Sequence, residues 1–136
     1  MSSLLIPFVE TEYLGLVSRD KVESTLEQKD VLVFTSYWEG FPIAILEAMA
    51  RGLVVISSNV GGISEMLDAK NGILLSKENE EQSLADALTV YATNPLLVFE
   101  QGKESRKKVE ERFVLSVMTQ KTFDVIDSIV AQKDHD

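Results

Sequence analysis

Short apolar runs alternate along the chain with stripes of helical period. Leu4-Leu5-Ile6-Pro7-Phe8-Val9 is an apolar segment that Pro7 restricts to an edge strand or an extended arm. Tyr13-Leu14-Gly15-Leu16-Val17 reads as a strand, and Asp20 to Lys29 as a short helix with Val22 and Leu26 one turn apart. Val31-Leu32-Val33-Phe34-Thr35 is unbroken β-branched and aromatic sequence, the pattern of a strand buried on both faces. A helix follows from Phe41 to Arg51, where Gly52 stops it. Val54-Val55-Ile56-Ser57 is a second buried strand, Gly61-Gly62 opens a short helix over Ile63 to Leu67, and the turn Asn71-Gly72 leads into a third strand, Ile73-Leu74-Leu75.

Beyond that strand the pattern is helical. Leu84, Ala87, Leu88 and Tyr91 line one face at i, i+3, i+4 and i+7. Asn94-Pro95 reads as an N-cap followed by proline at the first helical position, opening a helix to about Arg112. A last helix carries Leu115, Met118, Thr122, Val125, Ile126 and Ile129 along one side. Strands alternating with helices predict an α/β fold with a mostly parallel sheet, helices on both faces and right-handed crossovers. Ligands of such sheets sit outside the carboxyl ends of the strands. A site is therefore expected just after Val31–Thr35 and just after Val54–Ser57.

Composition narrows the chemistry. No cysteine occurs, which excludes a disulfide scaffold, a thiolate metal site and a cysteine nucleophile. The single histidine, His135, lies in a charged tail, a poor place for a catalytic triad. A net charge of −9 argues against nucleic acid as a partner, because Lys and Arg supply most of the affinity for phosphate backbones. Charged residues interrupt every apolar stretch short of a membrane span, and Met1 to Leu4 lack a basic leader segment. A soluble, cytoplasmic domain is the expectation. No cluster of metal ligands is legible, and no bound cofactor is implied.

At the first strand end, Pro42 suits the first turn of a helix, which leaves Glu39 and Gly40 in the loop before it. The amides from Phe41 to Ile45 then head the helix and form an anion seat, with Gly40 allowing close approach to the backbone. Glu47 is the only charge between Phe41 and Ala50, on a helix apolar all round. Two readings are open for it: a ligand's sugar hydroxyls satisfy the carboxylate, or Arg51 pairs with it at i+4. Glu39 is either solvated or a second ligand carboxylate, and Trp38 either stacks on a ligand or packs. At the second strand end, Gly61-Gly62 suits close approach and anion contact, and equally an ordinary turn. Neither a dinucleotide fingerprint nor a P-loop occurs.

Glu39-Gly40-Phe41-Pro42, with Glu47 eight positions on and Ala48-Met49-Ala50-Arg51-Gly52 behind it, resembles the E-x7-E region of the group 1 retaining glycosyltransferases of GT-B fold. Gly61-Gly62-Ile63-Ser64-Glu65 and Asn71-Gly72-Ile73-Leu74 resemble the blocks that follow in that family, and Tyr13 to Val17 and Asp30 to Val33 its preceding strands. Leu53 stands where the family often has proline. The resemblance implies a nucleotide-sugar donor site, within residues 1–136 as an incomplete C-terminal donor-binding domain. Glu47 would hold the ribose hydroxyls, and Glu39 would contact the transferred sugar near its anomeric centre as the catalytic carboxylate. The backbone of Gly40, Phe41 and Pro42 would line the sugar, and the amides of Ile43 and Ala44 would face the diphosphate, with Gly61 and Gly62 beside them.

The resemblance also implies what this chain lacks: two strand–helix units with the family's diphosphate-binding Arg and Lys, and the acceptor domain. No Lys or Arg is expected at either strand end in the pattern that a diphosphate needs. The chain would supply strands 3, 4, 5 and 6 of a doubly wound, Rossmann-like sheet, leaving the Val31–Thr35 edge long, apolar and unpaired. Weak donor binding, no catalysis by the chain alone, and a homodimer or a complementing partner chain are the expectations. The alternative is a non-catalytic remnant that folds by self-association.

Overall fold

The computed structural model describes residues 11–133. The apolar segment Leu4–Val9 and His135 lie outside them. Three parallel strands, β1 (Val31–Phe34), β2 (Val54–Ser57) and β3 (Gly72–Leu74), form a sheet in the order β1-β2-β3. Val31 stands beside Val54, and Val55 beside Gly72. Helix α1 (Arg19–Leu26) precedes β1, α2 (Ile43–Ala50) joins β1 to β2, and α3 (Ile63–Met66) joins β2 to β3. Three helices complete the chain: α4 (Glu80–Thr93), α5 (Pro95–Arg112) and α6 (Leu115–Lys133).

The period-2 alternation of β2 divides the core. Val55 points into a cluster with Ile45, Ala48, Met49, Ile63, Met66 and Val109, the apolar faces of α2, α3 and α5. Val54 and Ile56 point the other way, onto Ala87 and Tyr91 of α4. All four residues of β2 are buried, as a central strand covered on both faces must be. The expectation of a parallel α/β sheet with helices on both faces is met. The face anticipated for α4 is the one that packs, with Ala87 and Tyr91 buried and Leu84 and Leu88 half-buried.

Helix ends follow their local chemistry. Gly52 adopts φ 79°, its N–H donates to the Met49 carbonyl at 2.9 Å, and the Leu53 N–H donates to that of Ala48 at 3.1 Å. These two bonds are a Schellman closure of α2. Pro95 takes the first position of α5, but Asn94 does not cap it with its side chain. The Asn94 amide donates backward to the Val90 carbonyl at 2.8 Å and so closes α4. Between Leu67 and β3, buried Asn71 accepts the Asp68 N–H and donates to the Met66 carbonyl. Ser105 and Gln101 of α5 donate to the carbonyls of Asn71 and Ala69, and Tyr91 donates to Gln101 at 2.6 Å. These bonds moor α5 to the sheet.

Three expectations fail, for one physical reason. Tyr13–Val17 is not a strand: Tyr13 is 94% exposed, and Gly15 turns to φ 62°. β1 is half-buried rather than covered on both faces, with Val33 41% exposed. The stripe on α6 faces no core, and Leu115, Met118, Val125, Ile126 and Ile129 are all exposed. A strand needs a neighbour for its ladder and an apolar stripe needs a facing surface, and among the described residues neither is supplied. Among the described residues no strand pairs with the outer side of β1, which is only four residues long. Val54 N–H donates to the Asp30 carbonyl and Ser58 N–H to that of Phe34, so Asp30, Leu32 and Phe34 address β2. Val31 and Val33 therefore turn their N–H and C=O groups to the open side. No described helix is long and apolar enough to cross a membrane.

Candidate functional site

The carboxyl ends of β1 and β2 are fastened together. Ser57 donates its hydroxyl to the Phe34 carbonyl at 2.9 Å, and Ser58 donates to the Glu80 carboxylate at the start of α4. From β1 the chain enters the loop Thr35–Pro42, where Ser36 Oγ donates to Glu39 Oε1 at 3.0 Å and to the Trp38 carbonyl at 3.2 Å. That serine orients the half-buried Glu39 carboxylate from within its own loop. Trp38 does not pack: it is 86% exposed beside an equally exposed Tyr37.

The two glycine sites behave oppositely. A Cβ on Gly40 would meet nothing within 4 Å, so the backbone there is open to a ligand. A Cβ on Gly61 would lie 1.9 Å from the Glu39 carbonyl oxygen, and one on Gly62 would lie 2.8 Å from the Phe41 ring. Gly61 holds φ 54°, and Gly62 N–H donates to the Gly40 carbonyl at 2.8 Å. The side on which a Cβ would stand is filled at both glycines by the backbone of Glu39 and Gly40 and by the Phe41 ring. Their contribution is to shape the loop that carries Glu39. α3, a single turn whose Glu65 N–H already returns to the Gly62 carbonyl, is too short to act as an anion seat.

Pro42 is the buried N-cap residue of α2, one place earlier than anticipated, and no side chain caps the helix. The Ile45 N–H closes onto the Pro42 carbonyl at 3.2 Å. Ile43 and Ala44 are exposed at the uncapped head, where the amides carry the positive end of the helix dipole. The ring of Phe41 stacks obliquely on Phe113, centroids 5.8 Å apart.

One turn further on is Glu47, its side chain 31% exposed. The i+4 ion pair with Arg51 does not form. Arg51 Nη1 donates instead to the Glu47 backbone carbonyl at 3.1 Å. The partner of the Glu47 carboxylate is Arg19, the first residue of α1, with Nη2 at 3.4 Å from Oε1. Arg19 also pairs with Glu23 at 3.2 Å, and Glu23 with Arg51 at 3.8 Å. A chain of alternating charge, Glu47–Arg19–Glu23–Arg51, thus joins α1 to α2. A cation, Arg19, therefore stands beside Glu47. The pair spans 28 positions, so no local spacing announces it.

A cavity of about 710 Å³ lies at the opposite end of the sheet, against Asp30, Val31 and Gly52, and none of Glu39, Gly40 or Glu47 lines it. A smaller one of about 230 Å³ does lie at the strand ends, between Thr35, Ser36, Tyr37, Ser58 and Glu80. Depth is no guide here. The convergence of an open backbone, an uncapped helix head and two carboxylates is the chemically informative feature.

The profile of the family described as glycosyl transferases group 1 matches residues 9–112. The chain belongs to the group 1 glycosyltransferases. It is 31% identical over 115 residues to the UDP-Gal:α-D-GlcNAc-diphosphoundecaprenol α-1,3-galactosyltransferase of Escherichia coli, covering 85% of this chain and 30% of that enzyme. It is 33% identical over 99 residues to the teichuronic acid biosynthesis glycosyltransferase TuaC of Bacillus subtilis, described as putative, covering 73% and 25%. Among solved structures, sucrose-phosphate synthase of Thermosynechococcus elongatus superposes with a TM-score of 0.74 at 24% identity, covering 89% of this chain and 30% of that one. The C-terminal domain of the Francisella tularensis group 1 glycosyltransferase LpcC superposes at 0.68 and 26% identity, covering 75% and 53%. The Anabaena protein HepE in complex with UDP superposes at 0.69 and 24% identity, covering 76% and 29%. This glycosyltransferase chain therefore spans about 30% of the length of the first curated relative.

Proposed function

We propose that this chain forms the donor-binding part of a nucleotide-sugar-dependent glycosyltransferase that transfers its sugar with retention, as an incomplete C-terminal domain of the GT-B type. The carrying observation is the half-exposed Glu47 carboxylate on a helix whose head is uncapped, beside a Gly40 backbone open to a ligand. Glu47 accepts from the ribose diol, and the exposed Ile43 and Ala44 amides meet the diphosphate. Gly40, Phe41 and Pro42 line the transferred sugar. Glu39, held by Ser36, contacts that sugar near its anomeric centre. Gly61 and Gly62 serve by shaping the Glu39 loop. The relatives named for UDP-sugar chemistry support a nucleoside diphosphate sugar as donor.

Calorimetric titration with UDP tests this reading. Weak binding that Glu47→Ala abolishes is expected, and no heat with UDP or any other nucleoside diphosphate would overturn it. Transfer activity is not expected from the chain alone, because the cations described beside its carboxylates, Arg19 and Arg51, are themselves paired with Glu47 and Glu23.

A second reading, a self-associating or partner-completed module, is favoured by the open edge of β1 and the exposed stripe of α6. A homodimer that persists at micromolar concentration is expected. A concentration-independent monomer in analytical ultracentrifugation rules it out.

A further inference from the structure

Arg19 is an unusual choice for its position. It is the first residue of α1, where the helix dipole is positive and a cation is disfavoured. Its side chain is 79% exposed, so no packing requires it there. What holds it are two carboxylates: Glu23 one turn on at Nε, and Glu47 of the neighbouring helix at Nη2. Arg51 ends that chain of charges, reaching both Glu23 and the Glu47 backbone carbonyl. The planar guanidinium therefore bridges the end of one helix to a single carboxylate on the next.

We infer that Arg19 is a positioning residue for Glu47, fixing its carboxylate for a ribose diol. The inference rests on the reading of Glu47 as the ribose ligand. A glutamate side chain on an exposed helix face samples several rotamers, and a ligand must freeze one of them. Arg19 at Oε1 makes that selection before the ligand arrives. Among the described residues Oε2 has no hydrogen-bond or ion-pair partner, and an ionised carboxylate accepts about four hydrogen bonds. Two hydroxyls of a diol therefore find acceptor capacity without displacing the arginine. Glu23 and Arg51 hold Arg19 in turn, so that α1, which carries no buried residue, still takes a defined place beside α2.

The test is calorimetric titration of the chain with UDP and with 2′,3′-dideoxy-UDP. Arg19→Ala is expected to weaken UDP about tenfold, the net worth of roughly one hydrogen bond. The same substitution should leave the dideoxy analogue unaffected, since that ligand has no diol for Glu47 to hold. Arg19→Lys should recover part of the loss. Arg19→Gln serves in place of Arg19→Ala if the latter lowers the urea midpoint. Equal losses for both ligands would mean that Arg19 acts on the diphosphate, which overturns the inference. Unchanged UDP binding by Arg19→Ala, with loss in Glu47→Ala, overturns it while leaving the donor reading intact. No UDP binding by the unsubstituted chain removes the donor reading and the inference together.

Discussion

Gly61→Ala and Gly40→Ala are chemically the same change at two loops that touch, and the structure assigns them opposite consequences. At Gly61 the backbone holds φ 54°, a region where an alanine is strained by roughly 1–2 kcal/mol. The new methyl would lie 1.9 Å from the Glu39 carbonyl oxygen, 2.8 Å from its carbon and 3.0 Å from the Gly40 oxygen. All three are backbone atoms, so no rotamer change relieves the contact and the Glu39–Gly40 peptide must move. Overpacking of this kind costs roughly 1–3 kcal/mol. The sum, roughly 2–5 kcal/mol, is a large fraction of the 5–15 kcal/mol typical of a domain. At about 3–4 °C per kcal/mol it lowers the melting temperature by roughly 6–20 °C. Gly40→Ala meets no atom within 4 Å and is expected to change stability by less than about 0.5 kcal/mol. Its effect should fall on nucleotide-sugar binding instead. Urea denaturation of both variants followed by far-UV circular dichroism measures the difference. Equal stabilities, or a larger loss at Gly40, would refute the assignment of Gly61 to loop packing.

Other expectations follow from the same coordinates. Burial pushes the Tyr91 phenol from 10.0 up to about 12, so its contribution is whole below pH 10 and is lost as pH rises through about 12. Tyr91→Phe should abolish that alkaline loss and cost about 1–2 kcal/mol at neutral pH by leaving Gln101 Oε1 without its donor, read from urea curves at several pH values. Lys108, hydrogen-bonded to Asp68 at 2.7 Å, and then the Lys70 N–H hold the Asp68 carboxyl below its ordinary 3.8. That contribution is present above pH 3.8 and disappears as pH falls through the lowered value, and Asp68→Asn should remove it. The half-exposed pair limits the cost at pH 7 to about 1 kcal/mol, and a loss above 3 kcal/mol would contradict this account. Ile126→Lys should leave the unfolding free energy of the isolated protomer unchanged within about 0.5 kcal/mol, read from urea curves, because Ile126 packs on no core residue, while weakening any association through α6.

Much of the fold is written locally. Three consecutive apolar residues, Val54, Val55 and Ile56, specify a central strand, the i, i+3, i+4, i+7 stripe of α4 specifies its buried face, and Gly52 specifies where α2 ends, because period and backbone freedom are properties of a few neighbouring residues. The spacing of Glu39 and Glu47 around Gly40 likewise marked the candidate site without coordinates. Tertiary structure alone decided what those residues meet. It left Tyr13–Val17 without a strand to pair with and α6 without a surface to cover, since both need a partner that local sequence does not name. It gave Gly61 and Gly62 to packing against Glu39 and Gly40 of the preceding loop, and it brought Arg19 to Glu47 across 28 positions. Contacts of that range depend on how helices and loops are stacked, and no periodicity carries them. The carboxylates of this site were legible in the sequence; the cation and the glycines that hold them in place were not.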